Sequence, residues 1–231
     1  MQPSDIRAVL FDLDGTLMNT LPGITALVNQ VREDFEREPL SLEEVGGYIG
    51  KGMLILMHRV MTRSLDGRLD DQIYRMAVRS LQKHIDAGNY DKGTPYPGVP
   101  EALRALRDSG YKVAVVTNKH YDMTLTVLKE KGLLEMFDAI VGGDSASAPK
   151  PSPAPIQLAM EKLGVNAGEC VMVGDSGNDS SSAKDAGVAC FLVRGGWTEG
   201  LSIEDICIRD KAEAVFDGVP EVVNYLIASK Q

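Results

Sequence analysis

The stretch AVLFDLDGTLMNT, residues 8–20, sets an uninterrupted apolar run against two carboxylates, Asp12 and Asp14, one residue apart. An apolar run of this kind, Ala8 to Phe11, is that of a strand buried on both faces, which occurs in parallel sheets covered by helices. Carboxylates this close repel unless solvent, a proton or a cation lies between them. Either an exposed turn or a piece of chemistry therefore follows the strand.

Outward from this segment, the chain beyond Tyr96 alternates short β-rich runs with amphipathic helical ones: KVAVVTN, MTLTVLKEKGL, FDAIVGGD, APIQLAMEKLG, ECVMVGDS, SSAKDAG, VACFLVRGG and PEVVNYLIAS. Together with IRAVLFDLDG this predicts an α/β fold, a Rossmann-like doubly wound parallel sheet. Residues 21–93 break the pattern, because β-branched runs disappear. In DDQIYRMAVRSLQKHI the residues Ile73, Met76, Ala77, Leu81, His84 and Ile85 recur at helical spacing. The segment predicts a helical insert, joined through NTLPG (residues 19–23) and GTPYPGVP (residues 93–100), whose Gly and Pro residues mark connections. The expected division is an α/β core of residues 1–18 and 95–231 and a helical domain of residues 19–94, hung over the C-terminal end of the first strand.

Composition narrows the function. The 231 residues are 44% hydrophobic and 25% charged, with a net charge of −9 and an isoelectric point near 4.9. That balance speaks against nucleic acid or an anionic membrane as partner. The N-terminus has no signal-like charged and apolar regions, and no apolar run approaches the roughly 18 residues of a membrane span. A cytoplasmic protein, monomer or homodimer, is the expectation. Cys170, Cys190 and Cys207 lack metal-ligand spacing and read as reduced, packed thiols.

In open α/β sheets ligands bind beyond the carboxyl ends of the strands, so polar residues that interrupt apolar runs there carry the functional signal. There are four. FDLDGT supplies Asp12 and Asp14, with Gly15 permitting a sharp exit; a solvent-exposed Asx turn would use the same residues. VVTNK supplies Thr117 and Asn118, a hydroxyl and amides suited to an anion's oxygens or to a helix cap. APKPSP places Lys150 between two prolines. VMVGDSGND supplies Asp175 and Asp179, which with the first pair make an oxygen-rich pocket suited to a hard cation such as Mg2+, although Asp175 also fits a helix cap.

The order DxDGT, TN, KPxP, GDSxxD resembles that of the haloacid dehalogenase superfamily of phosphohydrolases, over nearly the whole chain. The resemblance implies that Asp12 is a nucleophile forming an aspartyl-phosphate and that Asp14 is the acid and base. Thr117, Asn118 and Lys150 would bind the phosphoryl group. It implies Mg2+ held by Asp12, the Asp14 carbonyl and Asp175, with Asp179 nearby, and it makes the helical insert a cap domain. Thr16 is the phosphatase-like choice where mutases of the superfamily carry a valine-like residue; Asn19 and the serine-rich DSSSAKDAG depart from the common pattern.

Within that family GGYIGKGM, TNK, VGGD and KPSPAPI look most like bacterial phosphoglycolate phosphatases, which implies a small phosphorylated metabolite, 2-phosphoglycolate, as substrate. Nucleotide, sugar-phosphate and pyrophosphate phosphatases look much the same at this level. A phosphosugar mutase and an idle Mg2+-binding module are the rivals. Lys51, among glycines in the insert, is the candidate cation for a substrate anion, with a solvated loop lysine as the alternative. His58, His84 and His120 have no ligand spacing; His120 follows the TNK loop and could border the site. Trp197 reads as a packing or cap-contact residue.

Overall fold

The computed structural model describes residues 3–88, 93–198 and 200–230; residues 89–92 of the expected insert and 1, 2, 199 and 231 of the expected core lie outside it. Strand β1 (Ala8–Phe11) leads through the short β2 (Met18–Asn19) into four helices, α1 (Leu21–Asp34), α2 (Leu42–Tyr48), α3 (Met53–Thr62) and α4 (Asp71–Asp86). The chain returns through β3 (Thr94–Pro95) to α5 (Val99–Asp108), β4 (Lys112–Val116), α6 (Tyr121–Glu130), β5 (Ala139–Val141) and α7 (Ala154–Leu163). It continues with β6 (Cys170–Gly174), α8 (Gly177–Ala186), β7 (Ala189–Val193), α9 (Ile203–Asp210), β8 (Ala214–Phe216) and α10 (Val219–Ala228).

Six strands form one parallel sheet in the order β5-β4-β1-β6-β7-β8. The two-residue periodicity of each strand explains why both faces are covered. Val9, Phe11, Val113, Val115, Val171 and Val173 enter one apolar cluster with residues of α5, α6 and α10. Their neighbours Ala8, Leu10, Ala114, Val116, Cys170 and Met172 enter a second with α7, α8 and α9. Strand β1 is central, and the chain builds outward to β4 and β5 on one side before crossing to β6 on the other. The crevice created by that reversal opens at the carboxyl ends of β1, β4 and β6.

Helices α1–α4 close around an apolar cluster of their own, with Leu27, Val28, Val31, Met57 and Val60 fully buried. Ser41 and Glu44 form a capping box at the start of α2, and Asp70 caps α4. Buried Arg32 ties the bundle internally by donating to the carbonyls of Glu38 and Val60. The periodic stripe of α4 is only half used: Ala77 and Leu81 are buried while Ile73 and Met76 are exposed. An amphipathic pattern states which residues share a face, not how far a neighbouring helix reaches across it.

Two features are additional to the expected architecture. Strand β8 completes the sheet edge with three half-buried residues. The antiparallel ribbon of β2 and β3 pairs Met18 with Pro95 and Asn19 with Thr94, joining the two connections of the helical segment side by side. None of the described helices is long and apolar enough to cross a membrane.

Candidate active site

The site begins where β1 ends. The Asp12 N–H continues the sheet by donating to the Val173 carbonyl at 2.9 Å, and the chain then folds back, with the Gly15 N–H donating to the Met18 carbonyl at 2.9 Å. Gly15 adopts φ +90°, and a Cβ there would stand 2.5 Å from Asp175 Oδ2. Glycine is required on both counts. A Cβ on Gly196 would stand 1.9 Å from the same atom; the backbone closes on Asp175 from both sides, and the Trp197 N–H donates to its Oδ2 at 2.9 Å. Thr16 Oγ1 donates to Asp175 Oδ1 at 2.7 Å, which gives that threonine a structural task.

Lys150 lies at the centre. Its Nζ is 3.1 Å from Asp12 Oδ1, 2.5 Å from Asp179 Oδ1 and 2.7 Å from the Val116 carbonyl, so three acceptors meet the three N–H bonds of the ammonium. The peptide bond between Lys150 and Pro151 is cis. Asn118 holds the adjoining backbone, its Oδ1 accepting from the Lys150 N–H at 2.8 Å and its Nδ2 donating to the Lys150 carbonyl at 2.9 Å. Asp179 has a second duty. Its Oδ2 accepts from Ser176 N at 3.1 Å and Ser176 Oγ at 2.7 Å, completing a capping box at the start of α8. Ser176, not Asp175, is the cap of that helix, which leaves Asp175 facing Asp12.

Electrostatically this floor carries an excess of negative charge. Ligand atoms of Asp12, Asp175 and Asp179 lie within 4.8 Å of one another, with Lys150 as the buried counter-charge. Burial, partly offset by Lys150, pushes the Asp12 carboxyl up to about 6. Burial and then the Asp179 and Asp12 carboxylates raise Asp175 well above the ordinary range. Burial works against the Lys150 ammonium, but Asp12 and Asp179 outweigh it and hold its pKa above the usual lysine value. Three clustered carboxylates, Asp175 and Asp179 buried and Asp12 partly so, with a single lysine are under-neutralised, and their hard oxygen donors fit a Mg2+ ion.

Above the floor a cleft with about 800 Å³ of empty space, open solvent included, is walled by Asp14, Thr117, Asn118, Lys119 and His120 and roofed by Ile24, Ile49, Gly50, Gly52, Met53 and Leu56. Thr117 is buried, and its Oγ1 accepts from the Lys119 N–H at 3.2 Å. The roof touches the floor through Gly50, whose carbonyl accepts from Asn178 Nδ2 at 2.9 Å. Trp197 lines the cleft, and a Cβ on Gly46 of α2 would stand 3.4 Å from its Cδ1, so it packs beneath the helical layer.

Asp12, Asp14, Thr117, Asn118, Lys150 and Asp175 thus line one cleft, with Asp179 directly behind, as their positions at strand ends imply. Lys51 does not join them: it is exposed and outside the cleft lining, although Gly50 and Gly52 on either side belong to it. His120 borders the cleft and pairs with Asp144 at 3.2 Å. His58 stacks on Tyr74 with ring centroids 4.1 Å apart, and His84 pairs with Asp34. Cys170 and Cys190 are buried free thiols and Cys207 is half-buried. Lys119 was not singled out by the sequence, yet its Nζ lies 2.6 Å from Asp14 Oδ2 and 2.9 Å from Oδ1. Its only sequence signal is that it follows Thr117 and Asn118 at the end of β4.

The family model of haloacid dehalogenase-like hydrolases matches residues 9–193. A phosphoglycolate phosphatase of Nitrosospira multiformis is 38% identical over 204 residues, covering 88% of this chain and 90% of its own. One from Neisseria meningitidis is 35% identical over 228 residues, covering 97% and 95%. The crystal structure of a predicted phosphoglycolate phosphatase from Haemophilus somnus superposes with a TM-score of 0.86 at 28% identity, covering 96% of this chain and 98% of that one.

Proposed function

The chain belongs to the haloacid dehalogenase-like hydrolases, and from that premise we propose that it hydrolyses a small phosphate monoester, 2-phosphoglycolate first, through an aspartyl-phosphate on Asp12. One observation carries the mechanism. Asp12 Oδ1 is occupied by the Leu13 N–H at 2.7 Å and by Lys150 at 3.1 Å, whereas Oδ2 has no protein hydrogen bond among the described residues. A carboxylate pinned through one oxygen presents the other, already oriented, to an electrophile in the cleft.

In this reading Asp12 Oδ2 attacks phosphorus and the bond from phosphorus to the ester oxygen breaks. Asp14 gives the departing oxygen a proton. It then takes a proton from the water that cleaves the aspartyl-phosphate, regenerating Asp12 and releasing phosphate. The Thr117 hydroxyl, the Asn118 amide and Lys150 bind the phosphoryl oxygens. Lys150 contributes while held in place by Asp179, so the ammonium requires no reorganisation as charge develops. Asp12, Asp175 and the Asp14 carbonyl would hold Mg2+, with Asp179, both of whose oxygens already accept protein hydrogen bonds, standing behind. When bound, the cation supplies charge neutralisation for the phosphoryl group.

Residues 19–94 act in this reading as a cap domain on the core of residues 1–18 and 95–231, with the β2–β3 ribbon as its hinge; their separate apolar cluster supports that division. The choice of 2-phosphoglycolate rests on the relatives' names. Phosphate release from 2-phosphoglycolate, nucleoside monophosphates, hexose phosphates and pyrophosphate, with Mg2+ and with EDTA, tests it. A Mg2+-dependent preference for 2-phosphoglycolate is expected; preference for another ester replaces the substrate, and absence of release from all of them ends the reading.

A further inference from the structure

We propose that Lys119 is the residue that recognises the substrate's carboxylate, exchanging Asp14 for it as ion-pair partner; the inference rests on the phosphatase reading above for its substrate. The argument begins with the inventory of cations around the cleft. Lys150 is committed to the phosphoryl site, where it already meets Asp12, Asp179 and the Val116 carbonyl, and its side chain is 1% exposed. His120 is turned to Asp144, with 66% of its side chain exposed. Lys51 lies outside the lining. Among the described lining residues this leaves Lys119, whose ammonium meets only the two oxygens of Asp14 and is 11% exposed.

The side chains that roof the cleft carry no positive charge. Ile24, Ile49, Met53, Leu56 and Met123 are apolar, and a carboxylate brought against them without a cation would be desolvated and unpaired. In such surroundings an ammonium interacts with a carboxylate more strongly than it would in water. Lys119 also follows directly on Thr117 and Asn118, and its own N–H donates to Thr117 Oγ1 at 3.2 Å. The cation for the second anionic group is therefore tied to the same short loop as the phosphoryl cradle. That proximity suits a compact ester in which one carbon separates the ester oxygen from the carboxylate.

The pairing with Asp14 gives the exchange a consequence. Lys119 engages both Asp14 oxygens in the free protein. A carboxylated ester that takes the ammonium leaves an Asp14 oxygen able to turn to the departing ester oxygen, whereas an ester without a carboxylate leaves Asp14 held. Selection thus acts on a cleft wall of the core, beside the reacting groups, and not only through the helical layer above.

The test compares 2-phosphoglycolate with ethyl phosphate, which lacks the carboxylate. Lys119→Met raises the KM for 2-phosphoglycolate by about 30-fold, the loss of one charge-assisted hydrogen bond of about 2 kcal/mol, and leaves that for ethyl phosphate within about twofold. Lys119→Arg, which keeps the charge, retains most of the preference, and Lys119→Gln repeats the measurement should the methionine variant fold poorly. Because loss of Lys119 frees Asp14, kcat for ethyl phosphate is expected not to fall, and a fall would overturn the exchange. Equal KM changes for the two esters, or a lost preference in Lys51→Ala with Lys119→Met unaffected, overturn the proposal. Calorimetric binding of both esters to Asp12→Asn, with and without Lys119→Met, requires no turnover. A defect confined to 2-phosphoglycolate there supports recognition by Lys119 even where hydrolysis fails, and equal binding overturns it.

Discussion

The floor of the cleft and its roof are built on opposite principles. On the floor Asp175, Asp179 and Lys150 are almost completely buried, and each is held by two or three partners, most of them in the segments that follow different strands. The roof meets the floor through few polar contacts, chiefly Asn178 and Asn118 with the Gly50 carbonyl, and otherwise presents apolar side chains. Dense, mutually satisfied polar networks in a low-dielectric setting are rigid and costly to perturb. A layer with its own core and few cross-contacts can shift as a body at little cost. Fixed chemistry below an adjustable cover suits the function proposed above, in which Asp12 stays aimed while substrate enters.

The comparison breaks most clearly at Asp12. Asp12→Asn is expected to lower kcat by at least about 10³-fold in a phosphate-release assay, as loss of a nucleophile does. Its melting temperature without divalent cations should not fall, because the substitution removes a carboxylate that burial already disfavours. Lys150→Met is the converse case. It strips the counter-charge from buried Asp12 and Asp179, at a cost of about 3–5 kcal/mol. Thermal denaturation should show a fall of roughly 10 °C at 2–4 °C per kcal/mol for a chain of this size.

The charge imbalance of the floor should also appear as a dependence on pH and Mg2+. Asp12 is raised in the folded protein, to about 6, and Asp175 is raised too. Between about pH 4 and pH 6 the folded state therefore binds more protons than the unfolded one, and these groups lower stability as pH rises through that window. Mg2+ competes with those protons. Saturating Mg2+ at pH 7.5 is expected to raise the melting temperature by roughly 5–10 °C, the order of the 2.7 kcal/mol gained at about 100 times Kd. At pH 5 the shift should be markedly smaller; an equal shift at both values would place the ion elsewhere.

The smallest effect belongs to the roof. Asn178→Ala removes one hydrogen bond to Gly50 and is expected to raise KM by about two- to fivefold, with a stability change of about 1 kcal/mol or less. An effect on kcat as large as that of the floor variants would mean that the two layers are not energetically separate.

Asp12, Asp14 and Asp175 were legible in the sequence because a polar residue closing or following an apolar strand run is conspicuous, and open α/β sheets gather such positions at one edge; Lys150 was legible from the two prolines that flank it. Thr117 and Asn118 were legible for the same reason as the carboxylates. The double duty of Asp179 was not read from the sequence, which offered Asp175 as the helix cap where Ser176 and Asp179 form the capping box. Lys119 was not, because its importance lies in facing Asp14 across 105 residues of chain. Lys51 looked like the substrate's cation among mobile glycines, and the fold leaves it exposed outside the cleft. Strand β8 and the β2–β3 ribbon escaped notice because two or three residues are too few to establish a period.

Local patterning alone determined the parallel sheet, the helical insert and the collection of carboxylates at strand ends, since strand and helix periods and the strand-end rule depend on near neighbours in sequence. Only the tertiary structure decided which cation meets which carboxylate: Lys150 with Asp12 and Asp179, Lys119 with Asp14, and Lys51 with none of these. Ion pairing and desolvation act over a few ångströms between residues far apart in the chain, so their outcome is settled by how the strands and loops pack.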